Sequence, residues 1–264
     1  MLKSPFNYSG SKDSLIPQLK QYFPKDIDKC YDLFCGGCGF SINVLDTFSR
    51  IIANDIITPL IRFYKWLQVT SWEHVLEEVA KRNISKDSHE EYLKLRQRFN
   101  ETKDFIDFFI LCSSCTNNMM RFNKSYEFNQ TWGKRHFNPS TEARLQGYHK
   151  KLYQNPNIHF FNRHFYDITI DSGFVYLDPP YCITEAGYNA YWSNNLEHKL
   201  YDFMDDLNHR GVKFVLSGVL EHKGRLNPFK DRMLKYDVIT LQMDYNKVAK
   251  KKIGATQEVI VKNF

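Results

Sequence analysis

Short apolar runs, three of them followed by small or turn-forming residues, set the hydrophobic pattern of this chain. The first covers residues 30–34 and leads into a glycine cluster. The second covers residues 50–55. The third covers residues 173–178 and leads into two prolines. A fourth run, residues 212–217, follows a stretch at 196–210 whose apolar residues recur with helical spacing. Strands that alternate with helices predict an α/β fold with a parallel sheet and helical crossovers. The near-continuous apolarity of the runs predicts burial on both faces of the sheet.

The segment from about residue 59 to residue 161 interrupts this alternation. Its first half is helical in pattern and rich in charge, and its second half is basic, aromatic and rich in asparagine. We therefore predict one α/β domain formed by residues 1–58 and 162–264, with residues 59–161 inserted into it as a mostly helical lobe.

Composition and charge narrow the class of protein. The chain has 264 residues, of which 42% are hydrophobic and 25% are charged, as in globular proteins. It has no 18-residue apolar run and no apolar signal core at the N-terminus, so we expect a cytoplasmic location without a membrane span. Residues 121–151 hold seven basic and two acidic residues, which supplies +5 of the net +6, and aromatic residues are interleaved with them. Such a segment indicates a phosphate-rich partner, or else a solvated lobe with a small core of its own.

Two pairs of cysteines, Cys35/Cys38 and Cys112/Cys115, have the C-x-x-C spacing found in many zinc sites. The pairs lie far apart in sequence, and the first pair lies within a glycine cluster that a ligand-binding turn explains better. We therefore expect packed thiols rather than zinc or redox chemistry, and no metal site.

A glycine cluster, residues 36–39, directly follows the first predicted strand. Because glycine has no Cβ, such a turn lets the backbone come close to a ligand. Asn54-Asp55 ends the next predicted strand, and in nucleotide-binding α/β sheets an acidic residue there receives the ribose hydroxyls. The spacing is not G-x-G-x-x-G and no Walker lysine follows, which disfavours dinucleotides and ATP. An adenosyl ligand without a pyrophosphate fits this pattern better.

The sequence Asp178-Pro179-Pro180-Tyr181 follows the apolar strand at residues 174–177. Two prolines fix φ twice and remove two amide donors, so the nearby carbonyls become rigid acceptors. A carboxylate, a fixed carbonyl and an aromatic ring suit a planar base with an exocyclic amine, because Asp178 and the Pro179 carbonyl can accept both N–H hydrogens while Tyr181 stacks on the ring. An ordinary loop after a strand is the less favoured interpretation.

Together these motifs resemble the S-adenosylmethionine-dependent adenine-N6 DNA methyltransferases. Asp-Pro-Pro-Tyr combined with Asp-Leu-Phe-Cys-Gly-Gly, preceded by Phe6-Asn7-Tyr8-Ser9-Gly10-Ser11-Lys12, follows the motif order of their alpha group, the D12 class. Within that class the chain is most similar to the Dam enzymes of T-even phages, also through residues 118–123, 132–135 and 191–193. The resemblance covers nearly the whole chain and implies a Rossmann-like methyltransferase fold with a mainly parallel seven-stranded sheet and an inserted target-recognition lobe.

The resemblance also implies a role for individual residues. Residues 178–181 are the implied catalytic motif. Lys12 is placed near the methionine carboxylate of the cofactor, Asp55 at the ribose, and His164-Phe165 beside the adenine ring. The full implied cofactor set is Tyr8, Lys12, Asp32, Phe34, Gly36, Gly37, Asp55, His164, Phe165, Asp178 and Tyr188.

The implied DNA contacts lie in the basic segment: Asn118, Met119, Arg121, Asn123, Trp132, Lys134 and Arg135. Arg135 is the preferred base reader, because arginine can bond bidentately to guanine O6 and N7. The resemblance implies methylation of GATC in double-stranded DNA by a monomer or weak dimer, with the adenine extruded from the duplex because its N6 is otherwise paired. Cys38 and Trp132 depart from the usual family residues.

Two other functions compete with this one. The nearest is methylation of RNA adenine or of a glutamine amide, since both present a planar amine; Asp rather than Asn at position 178 favours DNA adenine by resemblance. The other is a DNA-binding protein that keeps the fold but has lost catalysis. That alternative predicts decay of residues 178–181, which are intact.

Overall fold

The computed structural model describes residues 1–6, 12, 15–183, 192–241 and 256–264. The strands of these residues are β1 (Lys29–Asp32), β2 (Arg50–Asn54), β3 (Ile158–Phe161), β4 (Phe174–Leu177), β5 (Lys213–His222), β6 (Arg225–Leu226), β7 (Asp237–Thr240) and β8 (Gln257–Lys262). The helices are α1 (Ile16–Leu19), α2 (Gly39–Asn43), α3 (Thr58–Val69), α4 (Trp72–Arg82), α5 (His89–Thr102), α6 (Phe105–Ser114), α7 (Pro139–Leu152), α8 (Asn194–His209) and α9 (Lys230–Met233).

The strands join in one sheet with the order β3-β2-β1-β4-β5-β8-β7, and β6 pairs with β5. The pairs among the first five strands are parallel, whereas β8 runs antiparallel between β5 and β7. This confirms the predicted α/β fold with a mostly parallel sheet, an arrangement compatible with a methyltransferase fold. In the described residues the sheet has eight strands instead of the implied seven, because a turn after β5 closes a two-residue antiparallel hairpin with β6.

Helices α3 to α7 lie between β2 and β3 in the chain, within the segment that the sequence sets apart. Local caps define where several of them begin: Ser88 accepts a hydrogen bond from the Glu91 amide, and Asn138 accepts two from Ser140 and Thr141. The helical segment ends at Leu152, and residues 158–161, predicted to lie in the lobe, pair with β2 as a strand of the sheet. The division into a core domain and a recognition lobe stays a prediction.

One hydrophobic cluster joins these helices to the sheet. Phe63 of α3 stacks on Phe109 of α6 with ring centroids 4.7 Å apart, and Tyr64 stacks on Phe160 of β3 at 5.3 Å. Phe6 packs edge-on against both Phe63 and Phe109. The helices are therefore packed against the same core that supports the sheet. Among the described residues, no helix combines the length and the apolarity that a membrane crossing requires.

The paired cysteines belong to this core. Cys35 precedes the glycine turn at residues 36–39 and Cys38 lies within it, whereas Cys112 and Cys115 lie at the end of α6; all four are buried. Burial raises the pKa of the Cys35 and Cys112 thiols well above the ordinary value. Thiols in such surroundings are poor nucleophiles and act as small packing groups.

Candidate active site

A cleft opens at the carboxyl ends of β1, β2 and β4, and it encloses about 1080 Å³ when the open solvent at its mouth is included. Ligands of open α/β sheets bind at this edge, because the loops that follow parallel strands meet there. Most residues singled out from the sequence line the cleft: Lys12, Asp32, Phe34, Gly36, Gly37, Asp55, His164, Phe165, Asp178, Pro179, Pro180 and Tyr181. Two further ones, Tyr8 and Tyr188, lie outside the described residues.

The glycine turn is fixed to the end of the neighbouring strand. Gly36 has φ 45° and Cys38 has φ 59°, so the chain reverses sharply between β1 and α2. The Cys35 amide donates to the Asn54 carbonyl at 2.8 Å, and the Gly36 amide donates to Asp55 Oδ2 at 2.9 Å. These bonds hold the turn against the carboxyl end of β2, which places Asp55 directly beside the glycines.

Hydroxyl groups from distant parts of the chain bind the carbonyls of the same turn. Tyr64 of α3 donates to the Gly36 carbonyl at 3.1 Å. The Gly37 carbonyl accepts from Ser4 at 2.7 Å and from Tyr148 of α7 at 3.3 Å. The sequence did not indicate these three residues, because they pack against the turn through tertiary contacts without any local motif. The helices between β2 and β3 thus support the turn as well as packing on the sheet.

Asp55 is held by backbone amides on both carboxylate oxygens. Oδ2 accepts from Gly36, and Oδ1 accepts from Ile57 at 2.9 Å. Burial raises the pKa of Asp55, while the amide donors act in the opposite direction. A carboxylate has about four acceptor positions, so Asp55 can still accept a hydrogen bond from a ligand.

Three aromatic rings form an apolar wall at this end of the cleft. Phe34 lies 5.2 Å from Phe165 and 5.6 Å from Trp192, measured between ring centroids, and Phe165 lies 5.9 Å from Trp192. The Trp192 indole donates to the buried carboxylate of Glu197 at the start of α8, and burial raises the pKa of Glu197 to about 7. His164, next in the chain to Phe165, is exposed and stacks on Tyr166.

Asp32 ends β1 below the turn and is 1% exposed. Its Oδ2 accepts from the Ser41 hydroxyl at 2.6 Å. Its Oδ1 is buried without a hydrogen-bond partner in the described part of the chain. Burial, with further contributions from the charges of Asp178 and Asp55, raises the pKa of Asp32 to about 7. A cationic group in the cleft would supply the missing partner and would lower this pKa.

The other end of the cleft is built from charged side chains. Tyr181 donates to Asp178 Oδ1 at 3.1 Å and lies 3.3 Å from the Ser217 hydroxyl of β5. The Lys12 ammonium lies 4.0 Å from the same Asp178 oxygen and 4.9 Å from the centroid of the Tyr181 ring. Burial raises the pKa of Asp178, and the Lys12 charge opposes that rise. Lys12, which the resemblance places at the cofactor carboxylate, is therefore found beside the acidic motif.

Glu258 of β8 completes this charged cluster and was missed by sequence reasoning. Its Oε2 lies 3.4 Å from the Lys12 ammonium, so one lysine is shared by two carboxylates. Burial alone would lower the pKa of Lys12, but the charges of Asp178 and Glu258 outweigh it and raise that pKa. No motif could have revealed Glu258, since it is 246 residues from Lys12 in the chain.

The residues expected to contact DNA lie outside the cleft. Arg121, Lys134 and Arg135 are exposed, and Arg135 donates to Asn118 Oδ1 at 2.5 Å. Two of the others have internal contacts: Asn123 closes a turn by accepting from Ser125 and Glu127, and Trp132 stacks on His89. Met119 is half-buried. Their role in DNA binding stays a prediction.

Sequence similarity to known proteins identifies the family of this chain. Residues 8–246 match the model of the D12 class N6 adenine-specific DNA methyltransferase family, and the chain belongs to that family. The modification methylase StsI of Streptococcus sanguinis is 32% identical over the whole chain, and the type II methyltransferase M.FokI of Planomicrobium okeanokoites is 34% identical.

The chain spans 43% of the length of each of those two relatives. The type II methyltransferase M.MjaIII of Methanocaldococcus jannaschii is 29% identical over 81% of this chain and 83% of its own length. These relatives are modification methylases, and similarity to the Dam enzymes of T-even phages in particular stays a prediction.

Proposed function

We propose that this chain transfers the methyl group of S-adenosylmethionine to N6 of an adenine that has been flipped out of double-stranded DNA. Membership of the family supports the methylation of DNA adenine. The observation that supports the reaction most directly is the single cleft in which the glycine turn and Asp55 lie beside residues 178–181.

The residues of the cleft fit S-adenosylmethionine. The amide-bound carboxylate of Asp55 suits the ribose hydroxyls, and the aromatic wall suits the adenine ring. The buried Asp32 oxygen that has no partner among the described residues suits the ammonium of the methionine part. When bound, the cofactor supplies a methyl group that its own positive sulfur has already activated.

The acceptor motif supplies what the adenine amine needs. The lone pair of N6 is delocalised into the ring, which makes the amine a poor nucleophile. Hydrogen bonds from both N–H groups, to Asp178 and to the Pro179 carbonyl, favour a tetrahedral nitrogen and free that lone pair for attack. Alignment and electrostatics therefore carry the reaction, without a covalent intermediate on the enzyme.

Recognition of the target is assigned to the basic segment at residues 118–135. Its exposed arginines and lysines suit phosphates and guanine edges. GATC is the target that the resemblance implies, read in part by Arg135.

Incubation of the chain with S-adenosylmethionine and a plasmid, followed by mapping of methylated adenines, tests this proposal. N6-methyladenine at one fixed sequence is the expected result, and methylation in a context other than GATC would correct the target alone. Parallel assays with RNA and with a glutamine peptide test the nearest alternative. Tight, sequence-specific binding without any transfer would favour an inactive DNA-binding protein and contradict the proposed reaction.

A further inference from the structure

The position of Glu258 follows from the topology of the sheet. β8 is antiparallel to β5, so it begins at the edge where the parallel strands end. Glu258 lies opposite Val219 near the carboxyl end of β5, and Asp178 follows the end of the adjacent strand β4. Two strands that run in opposite directions therefore bring two carboxylates to the Lys12 ammonium.

Between these carboxylates lies one ammonium. Lys12 Nζ is 3.4 Å from Glu258 Oε2 and 4.0 Å from Asp178 Oδ1, and the side chains of all three residues are at most 20% exposed. The lysine is thus closer to Glu258 than to Asp178. The contacts made to Asp178 by Lys12 and Tyr181 both fall on Oδ1, and among the described residues no hydrogen bond to Oδ2 is found.

We propose that Glu258 is a positioning residue, which holds the Lys12 ammonium away from Asp178 so that the Asp178 carboxylate remains accessible to the substrate amine. This inference rests on the proposed methyl transfer. Without the Glu258 charge, the nearest anion to Lys12 is Asp178, and electrostatic attraction in this buried cluster draws the two groups into direct contact. A direct ion pair occupies the carboxylate that the amine requires.

Loss of Glu258 should slow methyl transfer without weakening cofactor binding. Glu258 has no contact with the glycine turn, Asp55 or the aromatic wall among the described residues, so its loss should leave cofactor affinity nearly intact. The loss should appear instead in the methyl-transfer step, because the affected group is the acceptor carboxylate. Lys12 mediates the effect, so the effect should require Lys12.

The test compares Glu258→Gln with Glu221→Gln, a control on the neighbouring strand β5 whose carboxylate is not an ion-pair partner of Lys12 among the described residues. Single-turnover transfer to duplex DNA is measured at saturating S-adenosylmethionine, and the cofactor Kd is measured separately. Glu258→Gln should slow transfer roughly 10–100-fold with a Kd within threefold of the unaltered chain, and Glu221→Gln should change neither. A near-normal rate in Glu258→Gln, or a loss fully explained by weaker cofactor binding, would overturn the inference.

A double-mutant cycle with Lys12→Met keeps the inference testable even if Glu258→Gln alone does not fold, because removing both members of a buried ion pair is tolerated better than removing one. In the Lys12→Met background, Glu258→Gln should cost less than threefold in rate. A further loss of tenfold or more there would show that Glu258 acts independently of Lys12. Absence of transfer by the unaltered chain would instead count against the proposed function itself.

Discussion

The two ends of the cleft are held by different forces. At the glycine-turn end, neutral amides and hydroxyls fix the backbone and the Asp55 carboxylate, with distances of 2.7–3.3 Å. At the acidic end, Lys12, Asp178 and Glu258 hold one another by charge, at 3.4–4.0 Å. The first end is rigid before any ligand arrives. The second depends on the balance of buried charges, which a substrate or a substitution can change.

The acidic end should show the largest effect of a single substitution. Asp178→Ala removes the carboxylate proposed to accept the amine, so single-turnover transfer should fall on the order of 10³-fold, as when a key electrostatic group is removed from other enzymes. S-adenosylmethionine binding, measured by calorimetry, should change only slightly. Asp171→Ala, which removes an exposed carboxylate just before β4, is the control. Transfer at a near-normal rate in Asp178→Ala would contradict the assigned role.

Substitution at the glycine-turn end should weaken cofactor binding more than it slows methyl transfer. Asp55→Ala removes the acceptor of two amide bonds and the proposed ribose ligand. Hydrogen bonds to a charged group each contribute about 1.5–3 kcal/mol, so the cofactor Kd should rise roughly 100-fold. The transfer rate at saturating cofactor should fall much less. A loss confined to the rate, with unchanged Kd, would reverse the comparison between the two ends.

A substitution of Asp32 tests whether burial raises the pKa of this carboxyl group. The pKa of Asp32 is about 7 in the folded state, above the ordinary 3.8. The folded state therefore binds a proton more tightly than the unfolded state, and it loses stability as the pH rises between these two values. The amide introduced by Asp32→Asn does not titrate and can still accept from Ser41. The stability advantage of this variant should therefore grow by roughly 2 kcal/mol between about pH 5.5 and pH 8.5. Urea unfolding at both pH values measures it, and a constant advantage would contradict the raised pKa.

The hydroxyls beneath the turn should give the smallest effects and can be compared with each other. Tyr64→Phe leaves the Gly36 carbonyl without its hydroxyl donor, which should cost about 1–2 kcal/mol of folding free energy. Tyr148→Phe should cost less, because the Gly37 carbonyl still accepts from Ser4 at 2.7 Å. Thermal unfolding of the two variants measures the difference. Equal losses would mean that the Ser4 bond does not compensate.

The sequence could predict those parts of the site that follow directly from strand ends. Gly36, Gly37, Asp55 and Asp178 lie just after apolar strands, and parallel strands place such loops together at one edge. The same pattern missed β3 and β6, since a four-residue strand after a long helical segment and a two-residue hairpin have weak periodicity.

Contacts between distant parts of the chain could not be predicted in this way. Tyr148 is 111 residues from Gly37, and Glu258 is 246 residues from Lys12. No local spacing encodes such pairs, because they form only when α7 packs beneath the turn and β8 pairs with β5. Lys12 lies at the acidic end of the cleft, whereas the resemblance implies a position at the cofactor carboxylate. This position too depends on contacts between distant parts of the chain.

A single-turnover experiment with methyl-labelled S-adenosylmethionine and a duplex containing the mapped site shows whether the two ends of the cleft act together on one adenine. Nucleoside analysis should recover the label as N6-methyladenine, at a rate that depends on Asp178. Label on a cytosine or on the protein, or no transfer from a chain that binds both cofactor and DNA, would contradict this joint action of the two ends.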